Sequence, residues 1–371
     1  MGTPGGAART LLRLSPFVLP QADGTFINLV TDRTLRISAE AWSRLRALGP
    51  VFSEDSAEEA LGEDTAEVRR FLDTLRDVEV LVPDSPDLFR SATVRYADIE
   101  ISSHCNARCR FCPVADDPLP RRVMSMVVFE HIVDAIRAAP LRWVSMNHYN
   151  EPMLDPTFFD KAQILAAAGL PLRLFTNGVR LDRTAAERLA ADGNVDAVIV
   201  NIPSVDPERY SAKMGVRMRP RLHEEVAAAS HVLPLFICVN GNPVDAEQEA
   251  AALREHFSAL GANATIYVNL THDRAGLLGN DSVMTPGRWS GSLGGCRRFY
   301  EHLSVNVEGK VFLCCQDYRQ DHILGDLMTQ PLDAILTGHS ATEYRRRIFG
   351  DLPADDDFLC RTCVELQRGH A

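Results

Sequence analysis

Three cysteines in the first third of the chain are the feature that most constrains the fold and the chemistry of this protein. Cys105, Cys109 and Cys112 are spaced four and three residues apart, in a segment over residues 102–112 that reads SSHCNARCRFC. At this spacing one short loop directs three thiolates toward one point. Iron–sulfur clusters are held by cysteine thiolates, so the set predicts a four-iron cube with its fourth iron open to another ligand. The alternatives are a zinc site completed by His104, although zinc prefers four ligands, and three metal-free thiols.

The pattern C-x-x-x-C-x-F-C, with Phe111 before the third cysteine, resembles the signature of the radical S-adenosylmethionine (radical SAM) superfamily. The resemblance implies a [4Fe-4S] cluster on Cys105, Cys109 and Cys112, with Phe111 beside the cofactor. It implies that the amino and carboxylate groups of S-adenosylmethionine (SAM) chelate the open iron. It further implies reductive cleavage of SAM to a 5′-deoxyadenosyl radical, with a flavodoxin- or ferredoxin-type protein as electron donor.

Composition excludes several classes of function. The chain of 371 residues has room for two or three domains. Its net charge of −11 argues against nucleic acid as a partner, because phosphate binding needs a basic surface. It has no apolar run of the roughly 20 residues that span a bilayer, and its first thirteen residues lack the apolar segment of a signal peptide. We therefore predict a cytoplasmic protein with no membrane partner, in which the 9 cysteines favour metal binding over disulfides.

The middle of the chain predicts an α/β domain over residues 91–285. Apolar strand-like segments alternate there with helical segments, which is typical of parallel strands covered by helices. The six strand candidates are 97–102, 143–148, 172–176, 197–201, 235–239 and 265–269. The radical SAM core is a partial (β/α)6 TIM-like barrel, and the count agrees with it. The cysteine loop follows the first strand, at the end of a barrel that carries the chemistry.

Residues 1–90 predict a smaller domain. Two strand-like segments joined at Asp23-Gly24 precede three helical segments, near 39–48, 56–61 and 65–78, and a last extended piece at 80–83. This order resembles the winged-helix-like RiPP recognition element, which binds the leader of a ribosomally synthesised peptide by strand addition. The alternative is a winged-helix accessory domain without a peptide ligand.

The last part of the chain, residues 286–371, contains the second cysteine group. Cys296 is followed by twelve residues, then Gly309, four more residues and Cys314, while Cys360 and Cys363 form a C-x-x-C pair. The pattern resembles the twitch domain, a shortened SPASM domain, and implies a small α+β fold with one auxiliary [4Fe-4S] cluster on these four cysteines. A structural zinc site is the alternative, because it also uses four cysteines.

Two further cysteines and one arginine are candidates for contact with substrate. Cys315, beside Cys314, is an alternative ligand, a hydrogen-atom donor or an inert thiol. Cys238 lies in an apolar strand, where cysteine usually acts as a small buried hydrophobe, but a barrel-facing thiol would suit hydrogen-atom donation. Arg274, after the sixth strand, would bind a carboxylate or phosphate through its planar fork or form a surface salt bridge.

The segment Asn150, Glu151 and Pro152 after the second strand resembles the Gly-Glu-Pro segment of radical SAM enzymes, with Asn in place of Gly. That resemblance implies backbone carbonyls directed at the amino group of SAM. Asn tolerates unusual backbone angles, so the replacement is compatible. The alternative is an ordinary loop stiffened by proline.

Polar side chains also close the third and fourth strands. Asn177 follows the third, and Asn201 and Ser204 follow the fourth. At the rim of the barrel, these groups would hold the ribose or the carboxylate of the cofactor. For Asn177 the alternative is a plain Asn-Gly turn.

These features together predict an enzyme that abstracts hydrogen from an unactivated C–H bond. The leading hypothesis is modification of a ribosomally synthesised peptide in natural-product biosynthesis. The second is a dehydrogenase, dehydratase or epimerase that acts on an aminocyclitol, a sugar or a nucleoside. A third, from a different class, is a non-catalytic zinc-binding or peptide-adaptor protein on a degenerate barrel.

Overall fold

The computed structural model describes residues 11–366, apart from residues 22, 63–64, 91, 281–282 and 286. The first ten and the last five residues, which the predicted terminal domains include, lie outside this range. Within it no helix is long and apolar enough to cross a membrane.

The N-terminal region combines small antiparallel sheets with three helices. Its elements are β1 (Leu12–Leu14), β2 (Val18–Pro20), β3 (Phe26–Asn28), β4 (Arg33–Leu35), α1 (Ala39–Ala47), α2 (Glu54–Leu61), α3 (Thr65–Asp77) and β5 (Leu81–Pro83). Strands β2, β3 and β4 form one sheet, and β1 pairs with β5. Ser38 and Ser53 cap α1 and α2 by accepting backbone N–H groups.

The three helices are confirmed, but the sequence pattern missed two strands of this region. β4 has exposed side chains at Arg33 and Thr34 and therefore lacks an alternating apolar signal. β1 is only three residues long and is identified by its pairing with the distant β5. The predicted apolar face of α3 packs inward, with Leu72 and Leu75 fully buried in the core of this region.

The middle of the chain forms the predicted half-open barrel. Its strands are β6 (Tyr96–Ile99), β7 (Trp143–Ser145), β8 (Leu172–Thr176), β9 (Val195–Asn201), β10 (Leu235–Gly241) and β11 (Ala264–Leu270). Its helices are α4 (Met126–Ile136), α5 (Phe158–Ala167), α6 (Arg183–Asp192), α7 (Pro207–Met214), α8 (Leu222–Ala229) and α9 (Pro243–Ala259). Each strand pairs in parallel with the next, so the predicted (β/α)6 arrangement is confirmed.

Side chains of the barrel strands alternate between two environments. In β6, Ala97 and Ile99 point outward into the main apolar core beneath the helices, whereas Tyr96 and Asp98 line the concave inner face. Helix α7 was missed in the sequence because only Tyr210 and Met214 of its eight residues are buried, which leaves a weak periodic signal.

The C-terminal region extends the barrel sheet. It comprises α10 (Arg297–Glu301), β12 (His302–Val305), β13 (Lys310–Phe312), β14 (Ile323–Asp326), α11 (Leu332–Leu336) and α12 (His339–Ile348). β12 pairs in parallel with β6, and the hairpin with β13 leads to β14, so nine strands form one sheet in the order β11-β10-β9-β8-β7-β6-β12-β13-β14. α11 and α12 are separate helices, because the backbone is extended at Gly338.

An aromatic cluster joins the N-terminal and C-terminal regions. The ring of Phe17, fully buried just before β2, lies 4.9 Å from the rings of Tyr300 and Phe349 and 5.8 Å from that of Phe89. Gly295 makes this close packing possible: it has φ +99°, and a Cβ there would lie 2.6 Å from Leu19. Substitution at Gly295 is therefore excluded both by backbone angle and by space.

A buried ion pair strengthens the same contact. Arg95 Nη1 lies 3.0 Å from Glu301 Oε1 and also donates to the carbonyl oxygen of Leu29 at 3.2 Å. Both charged side chains are almost completely buried. Because removing one partner of such a pair leaves an uncompensated buried charge, this contact fixes how the N-terminal sheet sits on the rest of the chain.

Candidate active site

The cysteine loop follows β6 and is clamped against the end of α7. The backbone N–H groups of Arg108 and Arg110 donate to the carbonyl oxygens of Met214 and Lys213, at 2.9 and 3.0 Å. Gly215, which ends α7 with φ +61°, makes the approach possible, because a Cβ there would lie 2.3 Å from the carbonyl oxygen of Arg108. The loop is therefore held by backbone contacts that do not depend on its cysteine side chains.

The three thiols of this loop lie close enough together to interact electrostatically. Burial raises the pKa of Cys109 well above its usual value, and repulsion from Cys112 and Cys105 raises it further. Burial likewise raises the pKa of Cys105 to about 11. A metal binds the thiolate form, and a positive centre beside the three sulfurs would offset the burial and the mutual repulsion that raise these pKa values.

Glu151 ties the loop after β7 to both neighbouring strands. Its backbone N–H donates to the carbonyl oxygen of His104 at 2.9 Å. Its carboxylate accepts from Thr176 Oγ1 at 2.8 Å and from the backbone N–H of Asn177 at 2.7 Å. Burial raises the pKa of Glu151 to about 7, against the effect of these hydrogen bonds. The carboxylate thus positions the cysteine loop and the end of β8 and does not face the cavity as a free acid.

The neighbouring predicted residues hold the same loop in shape. Asn150 accepts from the backbone N–H of His148 at 2.9 Å and donates to the carbonyl oxygen of Met146 at 3.2 Å. Pro152 begins a short 3-10 turn over Pro152–Leu154. Asn177 donates to Asn106 of the cysteine loop at 2.8 Å, so its side chain does more than form a turn.

A ladder of asparagine amides crosses the last three barrel strands. Asn240 donates to Asn201 at 2.9 Å, and Asn269 donates to Asn240 at 2.6 Å. All three side chains line the inner cavity. Ser204 does not join them: its hydroxyl is fully buried and accepts the backbone N–H of Asp206 at 3.1 Å, at the start of α7.

The concave face of the barrel encloses a cavity of about 690 Å³. The three cysteines of the loop, together with Phe111, lie on one part of its wall. Cys238 and Cys315 also line it. Burial raises the pKa of Cys238 to about 11, and the hydroxyl of Tyr267 is within hydrogen-bonding reach of its sulfur. The predicted cavity thiols and the cysteine loop therefore face a common space.

The second cysteine group surrounds a small separate cavity. Cys296, Cys314, Cys360 and Cys363 line it, whereas Cys315 does not. Burial, followed by repulsion from the other cysteines, raises the pKa of Cys314 and of Cys360 well above the usual value. The chain thus places Cys314 and Cys315 on opposite sides, one toward the cysteine group and the other toward the barrel cavity.

Two family models match the two cysteine regions. Residues 99–233 match the radical SAM superfamily, and residues 296–364 match SPASM, an iron–sulfur cluster-binding domain. The chain contains a radical SAM domain and a SPASM domain. A radical SAM domain implies a [4Fe-4S] cluster and SAM, and a SPASM domain implies an auxiliary iron–sulfur cluster.

Curated proteins resemble the chain over a limited length. GTP 3′,8-cyclase of Chlorobaculum tepidum is 26% identical over 143 residues, which cover 38% of this chain and 42% of that protein. The mycofactocin maturase MftC of Mycobacterium ulcerans is 26% identical over 164 residues, which cover 43% of this chain and 44% of that protein. The matched part therefore spans less than half of these relatives.

Solved structures share the fold over more of the chain. BtrN, in complex with AdoMet and 2-DOIA, is 17% identical with a TM-score of 0.52, covering 73% of this chain and 93% of BtrN. SuiB of Streptococcus suis, bound to the precursor peptide SuiA, is 13% identical with a TM-score of 0.51, covering 90% of each chain. At these identities the likeness is one of fold.

The donor sets of both centres fit iron–sulfur clusters. Among the residues that the structure describes, no three His, Cys, Asp or Glu side chains converge closely enough to hold a single metal ion. Three cysteines in the loop and four in the second group are the donor type that holds iron–sulfur clusters, so both sets fit the clusters that the two domains imply.

Sequence reasoning missed several polar residues of the cavity in the radical SAM domain. Tyr149, Asn240 and Gln316 all line it. Tyr149 immediately precedes Asn150, and no sequence motif marks it as a cavity residue. Asn240 would have been found by aligning the ends of neighbouring parallel strands, since it stands beside Asn269 in the sheet register.

Proposed function

We propose that this protein is a radical SAM enzyme that removes a hydrogen atom from an unactivated C–H bond of its substrate. The observation that carries the proposal is that Cys105, Cys109 and Cys112 all line the cavity of about 690 Å³ on the inner face of the barrel. When bound, the cluster and SAM supply a 5′-deoxyadenosyl radical. The protein positions the target carbon and keeps water out.

The candidate site residues of the radical SAM domain comprise cluster ligands, residues that would contact SAM and residues that hold these in place. Cys105, Cys109 and Cys112 would be the ligands of the SAM cluster, with Phe111 packed beside the cofactor. The backbone between Asn150 and Pro152 would face the amino group of SAM, and Asn177 and Asn201 would contact its polar groups. Ser204 would act only indirectly, since its hydroxyl holds the start of α7.

The SPASM domain would hold the auxiliary [4Fe-4S] cluster on Cys296, Cys314, Cys360 and Cys363. Four protein ligands leave no iron free for substrate, which suits transfer of an electron from the oxidised substrate radical. Electrons for SAM cleavage would come from a flavodoxin- or ferredoxin-type partner in the cytoplasm.

Two thiols of the cavity are candidates for direct contact with the substrate radical. Cys238 and Cys315 both line it, and each is held in the thiol form by burial, which raises its pKa. A neutral thiol is the form that donates a hydrogen atom. We propose that one of the two fulfils this role if the reaction ends with hydrogen return to the substrate.

The substrate that the architecture supports best is a ribosomally synthesised peptide. Among the described residues β4 pairs with β3 alone, which leaves its other edge available for strand addition. SuiB, bound to its precursor peptide SuiA, shares the fold over 90% of this chain, and MftC is named a maturase. Both likenesses support a peptide and agree with the leading hypothesis from the sequence.

The second candidate is a small polar molecule such as an aminocyclitol, a sugar or a nucleoside. It is favoured by the likeness to BtrN, whose structure contains 2-DOIA, and by the asparagine ladder, which offers amide groups for hydroxyl recognition.

One assay tests the activity and the substrate class together. Anaerobically reconstituted protein, SAM and a reductant are incubated with the short peptides encoded beside its gene, or with a panel of aminocyclitols. We expect 5′-deoxyadenosine from the unaltered protein and none from Cys105→Ala. Hydrogen–deuterium exchange with the peptide present should show protection at Arg33–Leu35. No protection and no peptide product, with turnover of a small molecule, would overturn the peptide proposal.

A further inference from the structure

A strained turn after β11 fixes the backbone of Arg274. Arg274, Ala275 and Gly276 have φ values of +53°, +56° and +87°. Left-handed conformations cost non-glycine residues on the order of 1 kcal/mol each, and such strain persists where the surroundings impose it. Here Thr362 imposes it, because its hydroxyl donates to the carbonyl oxygen of Ala275 at 3.0 Å. The turn that carries Cys360 and Cys363 therefore helps to set the direction of Arg274.

The guanidinium of Arg274 lies in the cavity, close to both cysteine regions. It stands 5.9 Å from the ring centre of Tyr149. It is also near enough to Cys112 and Cys315 to lower the pKa of each. A ligand bound to this guanidinium would consequently sit between the SAM cluster site and the SPASM domain.

Arg274 differs from the other charged side chains of the cavity wall in having no partner. Its Nε is buried without a hydrogen bond, and no carboxylate pairs with it among the residues whose placement is described. The remaining charged side chains each have one: Arg173 has Asp196, Arg297 has Glu301, Arg298 has Glu365, Asp98 has Ser145 and His302, and Glu151 has Thr176. A partly buried guanidinium without a carboxylate partner is free to pair with an anion, so this part of the cavity suits an anionic ligand.

Two more buried polar groups of the cavity lack partners. The hydroxyl of Tyr149, whose ring centre lies 5.9 Å from the guanidinium, has none within the described chain, and neither has Oε1 of Gln316. Gln316 is 2% exposed and lines the cavity. Since buried polar groups are nearly always satisfied, these groups add a donor and an acceptor beside the one free cation of the described wall.

We propose that Arg274, assisted by the hydroxyl of Tyr149, binds a single carboxylate of the substrate. The planar fork of arginine matches both oxygens of a carboxylate. One guanidinium balances one negative charge, whereas a phosphate monoester carries about −1.5 to −2 at neutral pH and would leave charge uncompensated. The assignment rests on the proposed function only in naming the bound molecule a substrate. Its source would be an acidic side chain of a peptide or a small free carboxylic acid.

Equilibrium dialysis of the reconstituted protein with SAM bound tests this assignment. The radiolabelled probes are N-acetyl-aspartate N-methylamide, its asparagine counterpart, glutarate and inorganic phosphate. The variants are Arg274→Gln, Arg274→Lys and Tyr149→Phe. Arg173→Gln is the matched control, because Arg173 lines the same cavity but is paired with Asp196 and lies over Trp143.

We expect the aspartate probe to bind and its asparagine counterpart to bind far more weakly. Loss of a charged, bidentate contact should reduce the affinity by roughly 10- to 100-fold in Arg274→Gln. Arg274→Lys should recover part of this loss, and Arg173→Gln should retain the affinity. Preference for glutarate over the aspartate probe would assign the site to a small acid, and the reverse preference to a peptide side chain.

Three results would overturn the carboxylate site: equal binding of the aspartate and asparagine probes, equal losses in the Arg274 and Arg173 variants, or tighter binding of phosphate. A second measurement distinguishes failure of the carboxylate site from failure of the proposed function. It is the electron paramagnetic resonance (EPR) signal of the reduced cluster, recorded with increasing SAM in the same samples. A parallel fall in SAM affinity in Arg274→Gln would assign the guanidinium to the cofactor and overturn the proposal. Absence of any SAM effect in the unaltered protein would instead overturn the proposed function.

Discussion

Glu151 illustrates how a residue of a sequence motif acts in this fold. Its side chain is 1% exposed and accepts hydrogen bonds from two residues of the neighbouring strand end. Burial raises its pKa to about 7 from an ordinary value of 4.5. The folded protein thus binds this proton more tightly than the unfolded chain does.

This difference predicts a pH dependence of stability. The contribution of Glu151 is fully present below pH 4.5 and is lost as the pH rises toward about 7. The total change is on the order of 3 kcal/mol, at 1.36 kcal/mol per pKa unit. Glu151→Gln, neutral at every pH, should flatten this part of the curve. The measurement is the urea unfolding midpoint of both proteins between pH 4.5 and about 7. Parallel curves of midpoint against pH would contradict the raised pKa of Glu151.

A second prediction separates the adjacent thiols Cys314 and Cys315. Only Cys314 lines the small cavity of the second cysteine group, so Cys314→Ser should lower the iron content by about four per chain, the size of one cluster. Cys315→Ser serves as the matched control and should keep its iron. Iron analysis and visible absorption provide the measurement. Loss of iron from the Cys315 variant alone would reverse the ligand assignment.

At this scale the sequence indicates the candidate ligands but not the residues that hold them in place. The spacing of Cys105, Cys109 and Cys112 is local and visible in the sequence. Three features depend instead on contacts between residues that are distant in the chain. These are the packing of the cysteine loop against Gly215, the asparagine ladder and the lack of a carboxylate beside Arg274. For Arg274 the predicted choice lay between an anion site and a salt bridge, and only the packed cavity shows that no described carboxylate reaches it.

At the level of elements, the N-terminal sheet packs directly on the SPASM domain. Phe17 joins Tyr300 and Phe349 in a cluster that also contains Cys296 and Cys360. A bound leader peptide at the β4 edge would therefore sit on an element in contact with the auxiliary centre.

A third prediction follows from this packing. Phe17→Ala should lower the free energy of unfolding by about 3–5 kcal/mol and also reduce the iron held by the SPASM domain. Leu72→Ala is the matched control, because Leu72 is equally buried but belongs to the separate core of the N-terminal helices. It should be destabilising without loss of iron. Equal iron loss in both variants, measured after anaerobic reconstitution, would contradict a specific role for the shared cluster.

Helices and strands were predictable where the pattern of apolar residues within the segment itself indicates them. All six barrel strands carry apolar runs in the sequence, and they form as expected. The pairing of β12 with β6 was not predictable, because it joins residues about 200 positions apart through backbone hydrogen bonds alone. Short, exposed strands such as β4 were not predictable either, because no apolar pattern marks them in the sequence.

For the whole molecule, the nine-stranded sheet explains how the second cysteine region comes to border the barrel cavity. β12 extends the barrel from β6, and the chain that follows β13 turns Cys314 away from the cavity and Cys315 toward it. The substrate would lie between the centres, where a radical formed on one side can lose an electron to the other.

The most direct test of this account is whether SAM binds an iron of the cluster on Cys105, Cys109 and Cys112. Anaerobically reconstituted, reduced protein is examined by EPR spectroscopy before and after addition of SAM, with Cys105→Ala as the comparison. The account predicts that SAM shifts the cluster signal of the unaltered protein and that the variant shows no such shift. An unaltered signal in the presence of saturating SAM would contradict it.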